Sequence, residues 1–169
     1  MMAVYRTRMG RNGRGRRVSD TLDTEPLLDM WIPGKAAPGG SKKAFRHAST
    51  GKIVVMDDAK GNRDWKGRVS ALASAVWLVS PISGPLAVWM EFRIARPKYH
   101  YRGTSGEVKA TAPCHPTGKP DATKLLRACE DALTGVVWLD DAQIVSQHVT
   151  KIYADAPGVR VVVRRVDPC

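Results

Sequence analysis

The feature that most constrains the fold is a helical pattern between residues 121 and 135. Apolar side chains recur there at helical spacing and define one face: Leu125, Ala128, Cys129, Ala132 and Leu133. Lys124, Arg127 and Asp131 share the opposite face, which we expect to be exposed. Asp121 is typical of a helix start and Gly135 of a helix end. The pattern predicts a helix over residues 121–134 with one face packed on a core.

The remaining elements follow from shorter patterns. Residues 85–95 alternate apolar and polar side chains, which predicts a strand with one buried face. Residues 65–79 predict a core helix, with Asn62 or Asp64 as its cap and with Trp65 and Trp77 in packing roles. Further strands are predicted at 27–33, 53–56, 141–154 and 159–166, with loops at 34–45 and 96–119. This order predicts an α+β domain of two layers, with the helices packed on one face of a small mixed β-sheet.

Charge indicates the class of partner. The chain has 27 Lys and Arg residues against 16 Asp and Glu residues, so its net charge is +11. Such a field attracts nucleic acid first and acidic membrane surfaces second. Residues 1–25 are interpreted as a disordered basic arm that either contacts phosphates or aids solubility. Subtracting the six arginines of residues 1–19 still leaves +5, so residues 26–169, interpreted as a single domain, are basic themselves.

Cysteine usage and hydropathy indicate the compartment. The three cysteines, Cys114, Cys129 and Cys169, have neither the number of a disulfide framework nor the spacing of a zinc site. The longest apolar stretch, near residues 71–79, is too short to span a bilayer. No signal peptide is visible, because the N-terminus is rich in Arg and Gly. We therefore expect a cytoplasmic protein with no membrane association.

Three carboxylates are candidates for a metal site. Asp131 is ten residues after Asp121, hence about 15 Å away along a helix, and cannot share an ion with it. If residues 136–140 are extended, they can travel about 17 Å back along the helix and bring Asp140 and Asp141 to Asp121. Carboxylates that meet in this way favour Mg²⁺ or Mn²⁺. The alternative interpretation is a capped helix followed by an acidic turn.

Basic and aromatic residues nearby suit a phosphodiester substrate. A carboxylate-bound metal polarises a phosphate and activates water, and Lys124 or Arg127 can stabilise the charge that develops. In the long loop at 96–119, Tyr99 and Tyr101 stand among cationic residues. Such tyrosines either stack on unpaired bases or lean on the protein surface.

The segment KPDATKLLRACEDALTGVVWLDDAQIV, residues 119–145, resembles the central motif of the RusA family of Holliday-junction resolvases. The WIPG segment with a basic loop after it, and the pair Lys151 and Tyr153, are also similar to that family. The resemblance implies a homodimeric, Mg²⁺-dependent endonuclease that cuts four-way DNA junctions in symmetric pairs and is common in phages and prophages. It implies catalytic and metal-binding roles for Asp121, Asp140 and Asp141, and places Arg127 where the family has a functional lysine.

The expected DNA-binding residues are mostly basic: Lys119, Lys124, Arg127, Lys151, Lys42, Lys43, Tyr99 and Tyr101. One position departs from the family, because Thr123 stands where a second acid is common. Three interpretations stay open: Asp140 supplies the missing carboxylate, the metal is held more weakly through water, or the chain binds junctions and cuts them poorly.

The alternative functions are a basic DNA-binding protein with little or no cleavage, and a partner-binding domain without nucleic acid. The nuclease interpretation depends on Asp121 and Asp141 binding the same ion. If they lie too far apart for one cation to bridge, the nuclease interpretation fails and only a basic DNA-binding protein is left.

Overall fold

The computed structural model describes residues 25–39, 42–57 and 61–166. The predicted basic arm lies outside them except for Glu25. The strands are β1 (Leu28–Pro33), β2 (Lys42–Arg46), β3 (Ile53–Asp57), β4 (Leu86–Ile94), β5 (Ile144–Tyr153) and β6 (Gly158–Arg165), and the helices are α1 (Asn62–Val76) and α2 (Ala122–Leu133). Short 3₁₀ turns occupy Lys98–His100 and Asp141–Gln143.

Four strands form a mixed sheet in the order β1-β6-β4-β5. β4 is parallel to β5 and antiparallel to β6, and β1 is antiparallel to β6. β5 is therefore an edge strand. Both helices pack on one face of this sheet, which confirms the predicted two-layer α+β architecture.

The core lies between the helices and the sheet. Alternation along β4 buries Leu86, Val88, Met90 and Phe92, as predicted. The predicted core face of α2 is buried as well, and burial raises the pKa of the Cys129 thiol to about 12. No helix within the described residues has both the length and the apolar character needed to cross a bilayer.

The region around α1 differs from its prediction. α1 begins at Asn62 after Gly61, whose φ of +83° favours glycine, and no side chain caps it, so the proposed caps were wrong. α1 ends at Val76, so Val79 lies outside the helix and is exposed. The loop predicted at 34–45 contains β2, which pairs with β3 as a separate two-stranded sheet. The sequence pattern did not predict β2 for two reasons. Turn-forming residues precede it, and its pairing with β3 is a contact that a local pattern does not show.

Candidate active site

Asp121 lines a cavity that also contains three lysines. It is the N-cap residue of α2, and its side chain is exposed and makes no capping hydrogen bond. The cavity beside it, of about 600 Å³, lies between the segment after β1 and the start of α2. Three lysines line it: Lys35, Lys119 and Lys124. The predicted DNA-binding residues Lys119 and Lys124 are thus brought together with Asp121, and Lys35 joins them.

Lys35 was missed by the sequence analysis. Its segment lies against α2, because Gly39 donates its backbone N–H to the Lys124 carbonyl at 2.8 Å. A Cβ added at Gly39 would lie 3.2 Å from the backbone of Ala128, so a larger residue would crowd this approach. The signal that could have revealed Lys35 is its place in a Gly/Pro-rich segment directly after a strand, where binding residues concentrate.

The end of β5 supports the turn before Asp121. Lys151 donates from Nζ to the carbonyl oxygens of Gly118 at 2.9 Å and Pro120 at 2.8 Å. Lys124 forms an exposed ion pair with Asp121 at 3.9 Å. The two lysines therefore differ in kind: Lys151 is bound to backbone carbonyls, whereas Lys124 is paired with the Asp121 carboxylate at the cavity.

Asp140 and Asp141 lie at the opposite end of α2, in a tightly bonded turn. The Gln143 side chain accepts from the N–H groups of Leu139 and Asp140, and donates to the carbonyls of Ile82 and Gly84, all at 2.9 Å. Asp140 Oδ1 accepts from the N–H of Ala142 at 2.8 Å, which caps the 3₁₀ turn. One oxygen of Asp140 is thus occupied, while the Asp141 side chain is exposed.

Glu130 is a further carboxylate near Asp141 that the sequence analysis did not single out. It is buried on α2 and accepts a hydrogen bond from Gln147 of β5. Burial first, and the nearby charges of Asp141 and Asp131 next, raise the pKa of Glu130. The helical pattern gave no signal for Glu130, because this residue stands between the core position Cys129 and the exposed Asp131. Asp131 itself binds Lys66 of α1 at 2.7 Å.

A single chain does not bring the three candidate ligands together. Asp121 precedes Glu130 by nine residues of α2, about 14 Å at 1.5 Å per residue, and Asp141 lies beyond the Glu130 end. The contacts of β5 agree, since Gln147 reaches Glu130 while Lys151 reaches Pro120. Among the described residues, no group of three His, Cys, Asp or Glu side chains could hold a metal.

The path of residues 134–140 keeps the candidate metal ligands apart. The segment expected to be extended instead folds into a compact turn, in which Gly135 donates to the Trp138 carbonyl at 2.7 Å and Val137 donates to that of Leu133 at 2.9 Å. Trp138 is fully buried and donates from its indole to Thr134. The predicted return along the helix was therefore wrong. Asp121 and Asp141 are too far apart within one chain to bind the same metal ion. One copy alone therefore fits the DNA-binding alternative and not the nuclease interpretation.

The other predicted site residues are dispersed. Arg127 is exposed on α2, one helical turn after Thr123, which is also exposed. Tyr99 is 73% exposed and meets the buried His100 edge to face, while Tyr101 is half-buried and pairs with Val108. Lys42 and Lys43 lie on β2, on a different sheet from the Asp121 cavity, and their side chains lie outside the described atoms.

A carboxylate flanked by lysines, on a small basic α+β domain, indicates a protein that acts on nucleic acid. The chain belongs to the endodeoxyribonuclease RusA family, whose family model matches residues 33–164. It is also similar to the uncharacterized protein YqaN of Bacillus subtilis (strain 168), with 32% identity over 119 residues, or 69% of this chain and 82% of YqaN. The resemblance noted in the sequence is thereby confirmed at the level of the family.

Proposed function

We propose that this protein is a divalent-metal-dependent, structure-selective endodeoxyribonuclease that resolves four-way DNA junctions by paired cuts. It would act during recombination or repair in the cytoplasm of a bacterial host, encoded by a phage or prophage. The observation that carries the proposal is the position of Asp121, which lies in the segment that resembles the family's central motif, at a cavity with three lysines. Cations around a carboxylate suit a phosphate that approaches a metal-binding group.

The active site would be completed between two copies. Carboxylate oxygens are the ligands that Mg²⁺ and Mn²⁺ prefer, but one chain holds Asp121 and Asp141 at opposite ends of α2. α2 and β5 run in opposite directions, as the Glu130–Gln147 and Pro120–Lys151 contacts show. Asp141 therefore lies near the start of β5, and Asp121 lies near its end.

A two-fold axis at the edge of β5 would join the two halves of the site. β5 has ten residues, and its outer edge pairs with no strand among the described residues. Antiparallel pairing with the β5 of a second copy would place the start of each strand beside the end of the other. Asp141 of each copy would then approach Asp121 of its partner, which gives two equivalent sites for the two cuts.

The surface around Asp141 supports this pairing. Leu139 and Val145 flank the acid pair in the sequence, and their side chains are 59% and 60% exposed. Val145 lies on the edge strand itself. Pairing of β5 with a second copy would place Val145 at the interface between the two chains.

The residues of the proposed site would have three roles: metal binding, phosphate binding and positioning. Asp121 and Asp141 would hold the metal, which when bound polarises the phosphate and lowers the pKa of the attacking water. Lys35, Lys119 and Lys124 would hold the phosphate backbone at the cavity, and Arg127 would contact it farther along α2. Lys151 would position Asp121 through the carbonyl groups that it binds.

The test is cleavage of a synthetic four-way junction beside a linear duplex of the same sequence, with Mg²⁺, with Mn²⁺ and with EDTA. The proposal expects symmetric paired cuts in the junction with either metal, an uncut duplex, and no cleavage in EDTA. A junction that stays intact under all of these conditions would exclude the nuclease function.

A second candidate is a junction-binding protein that cuts poorly. It is favoured by Thr123 at the position of the missing acid, and by the Lys124 ammonium 3.9 Å from Asp121. Salt-sensitive binding of the junction in the same assay, without cleavage, would support it.

A further inference from the structure

The face of the four-stranded sheet opposite the helices carries aromatic and basic side chains. Trp31 of β1 and Trp89 of β4 alternate with the buried residues of their strands, so they lie on this outer face. Arg160 and Arg164 of β6 lie between them, because Trp31 pairs with Arg160 and Trp89 pairs with Val162 across the sheet. The two tryptophans therefore mark a surface across the three strands β1, β6 and β4.

Cations are held against both rings. The Arg93 guanidinium lies 5.0 Å from the centre of the Trp31 ring, and that of Arg164 lies 5.9 Å from the centre of the Trp89 ring. Both distances fall within the range of a cation–π contact. Arg160 binds Asp29 through two nitrogens, which fixes its side chain on the sheet. The rings and guanidinium groups are thus arranged before any ligand arrives.

A cavity of about 400 Å³ opens on this face beside Trp89. Arg160, Arg164, His148 and Thr150 supply hydrogen-bond donors around it, and Asp29 and Glu91 supply acceptors. Its volume lies near the small end of the range for ligand sites. A flat aromatic surface with donors and acceptors at its rim matches the face and the edge of a nucleobase.

We propose that this outer face is a second nucleic-acid site, which binds an unpaired DNA segment by stacking a base on Trp89 beside Arg164. It is separate from the Asp121 cavity, because Asp121 starts α2 on the other side of the sheet. Stacking needs an open base face, which a paired duplex does not offer, and it tolerates any base. The site therefore recognises single-stranded character rather than sequence.

Charge decides between DNA and other occupants. Three arginines, Arg93, Arg160 and Arg164, exceed the two carboxylates of Asp29 and Glu91, and the whole chain carries +11. A second copy of the chain on this face would have to bury its ion pairs against identical ones, and burial of charge is costly. Polyanionic DNA is instead attracted by the excess of positive charge.

The experiment compares oligothymidine with an abasic oligomer of the same length, in EDTA at physiological salt, by fluorescence anisotropy. The abasic oligomer keeps the phosphates and lacks the bases, so the ratio of the two affinities reports stacking alone. We expect wild-type protein to prefer oligothymidine, and Trp89→Leu to lose about tenfold of that preference. Arg164→Gln should reduce it as well, without removing a ring. The matched control Trp77→Leu, on the helix side of the fold, should keep the preference.

Three results would overturn the proposal. One is an equal affinity of the wild-type protein for the two oligomers. Another is an unchanged preference in folded Trp89→Leu and Arg164→Gln. The third is a lower sedimenting mass of either variant, which would show that a second copy occupies the face. The binding assay needs no cleavage, so its outcome does not depend on whether the protein is a nuclease.

Discussion

Lys151 Nζ lies 2.8 Å from the carbonyl oxygen of Pro120, the residue immediately before Asp121. The sequence placed Lys151 among the DNA-binding residues, but its ammonium already has two backbone acceptors. Lys151→Met should therefore lower the free energy of unfolding by about 1–3 kcal/mol, because two carbonyl groups lose their donor. Urea denaturation of the variant and the wild-type protein measures this difference.

DNA binding separates Lys151 from a lysine of the cavity. Lys119→Met removes an exposed cavity lysine, so it should leave stability within about 0.5 kcal/mol and reduce the slope of log affinity against log salt by about one. Lys151→Met should leave that slope unchanged. A reduced slope in Lys151→Met with unchanged stability would show that Lys151 contacts phosphate after all.

Gln143 holds the Asp140–Asp141 turn through both ends of its amide. Gln143→Leu keeps the approximate size of the side chain but leaves two N–H groups and two carbonyls without their partner. We expect a loss of about 2 kcal/mol in unfolding free energy, together with reduced junction cleavage. Gln143→Glu should not restore either property, because its carboxylate keeps the two accepted bonds but faces two carbonyl oxygens. Wild-type stability of Gln143→Glu would contradict this account.

Periodic elements were predictable because their patterns are local consequences of backbone geometry. The core face of α2 follows from 3.6 residues per turn, and the buried face of β4 follows from the alternation of a strand. The lysine-flanked position of Asp121 was also foreseeable, since Lys119 and Lys124 are its neighbours in sequence. These features can therefore be predicted from the sequence of the segment itself.

The turn after α2 was not predictable in the same way. The Val-Val-Trp segment at 136–138 has the composition of a strand, yet it folds back because the Trp138 ring is buried and bonded to Thr134. Lys35 and Glu130 were missed because their roles depend on contacts with distant segments. A local pattern carries no information on those contacts.

The buried carboxyl of Glu130 predicts a pH dependence of stability. Burial raises the pKa of Glu130 in the folded state above its ordinary value of 4.5, so the folded protein binds this proton more tightly than the unfolded chain. The stabilising contribution of the protonated group is present below pH 4.5 and is lost as the pH rises through the folded pKa. Glu130→Gln keeps an acceptor for Gln147 and removes the titration.

We therefore expect the melting temperature of Glu130→Gln, relative to that of the wild type, to rise between pH 4.5 and pH 8 in EDTA. Asp155→Asn, at an exposed position in the turn between β5 and β6, is the control and should follow the wild-type curve. A constant difference between Glu130→Gln and wild type across this range would mean that Glu130 ionises as easily in the folded state as in the unfolded chain.

Pairing along β5 predicts that charge at its start prevents assembly. Val145→Lys and Leu139→Lys each place an ammonium on an exposed apolar position near the proposed interface. We expect either variant to sediment with the mass of one chain and to lose junction cleavage. Ile53→Lys is the control, because Ile53 is 70% exposed but lies on the separate β2–β3 sheet. Dimeric Val145→Lys and Leu139→Lys would exclude this interface.

The separation of Asp121 from Asp141 predicts the outcome of mixing two inactive variants. Asp121→Asn and Asp141→Asn should each abolish cleavage yet preserve or improve junction binding, because each removes negative charge that faces phosphate. If each site takes one aspartate from each copy, a mixed dimer of the two variants holds one intact site and one site that lacks both. Random exchange of subunits should then restore about a quarter of the wild-type sites, since half of the dimers are mixed. The product should be a junction nicked in one strand, because each active dimer has a single working site. Sites built within one chain would remain inactive in every mixture, since each chain lacks one aspartate, so the absence of nicking after verified exchange would show that the two acids do not act across the dimer.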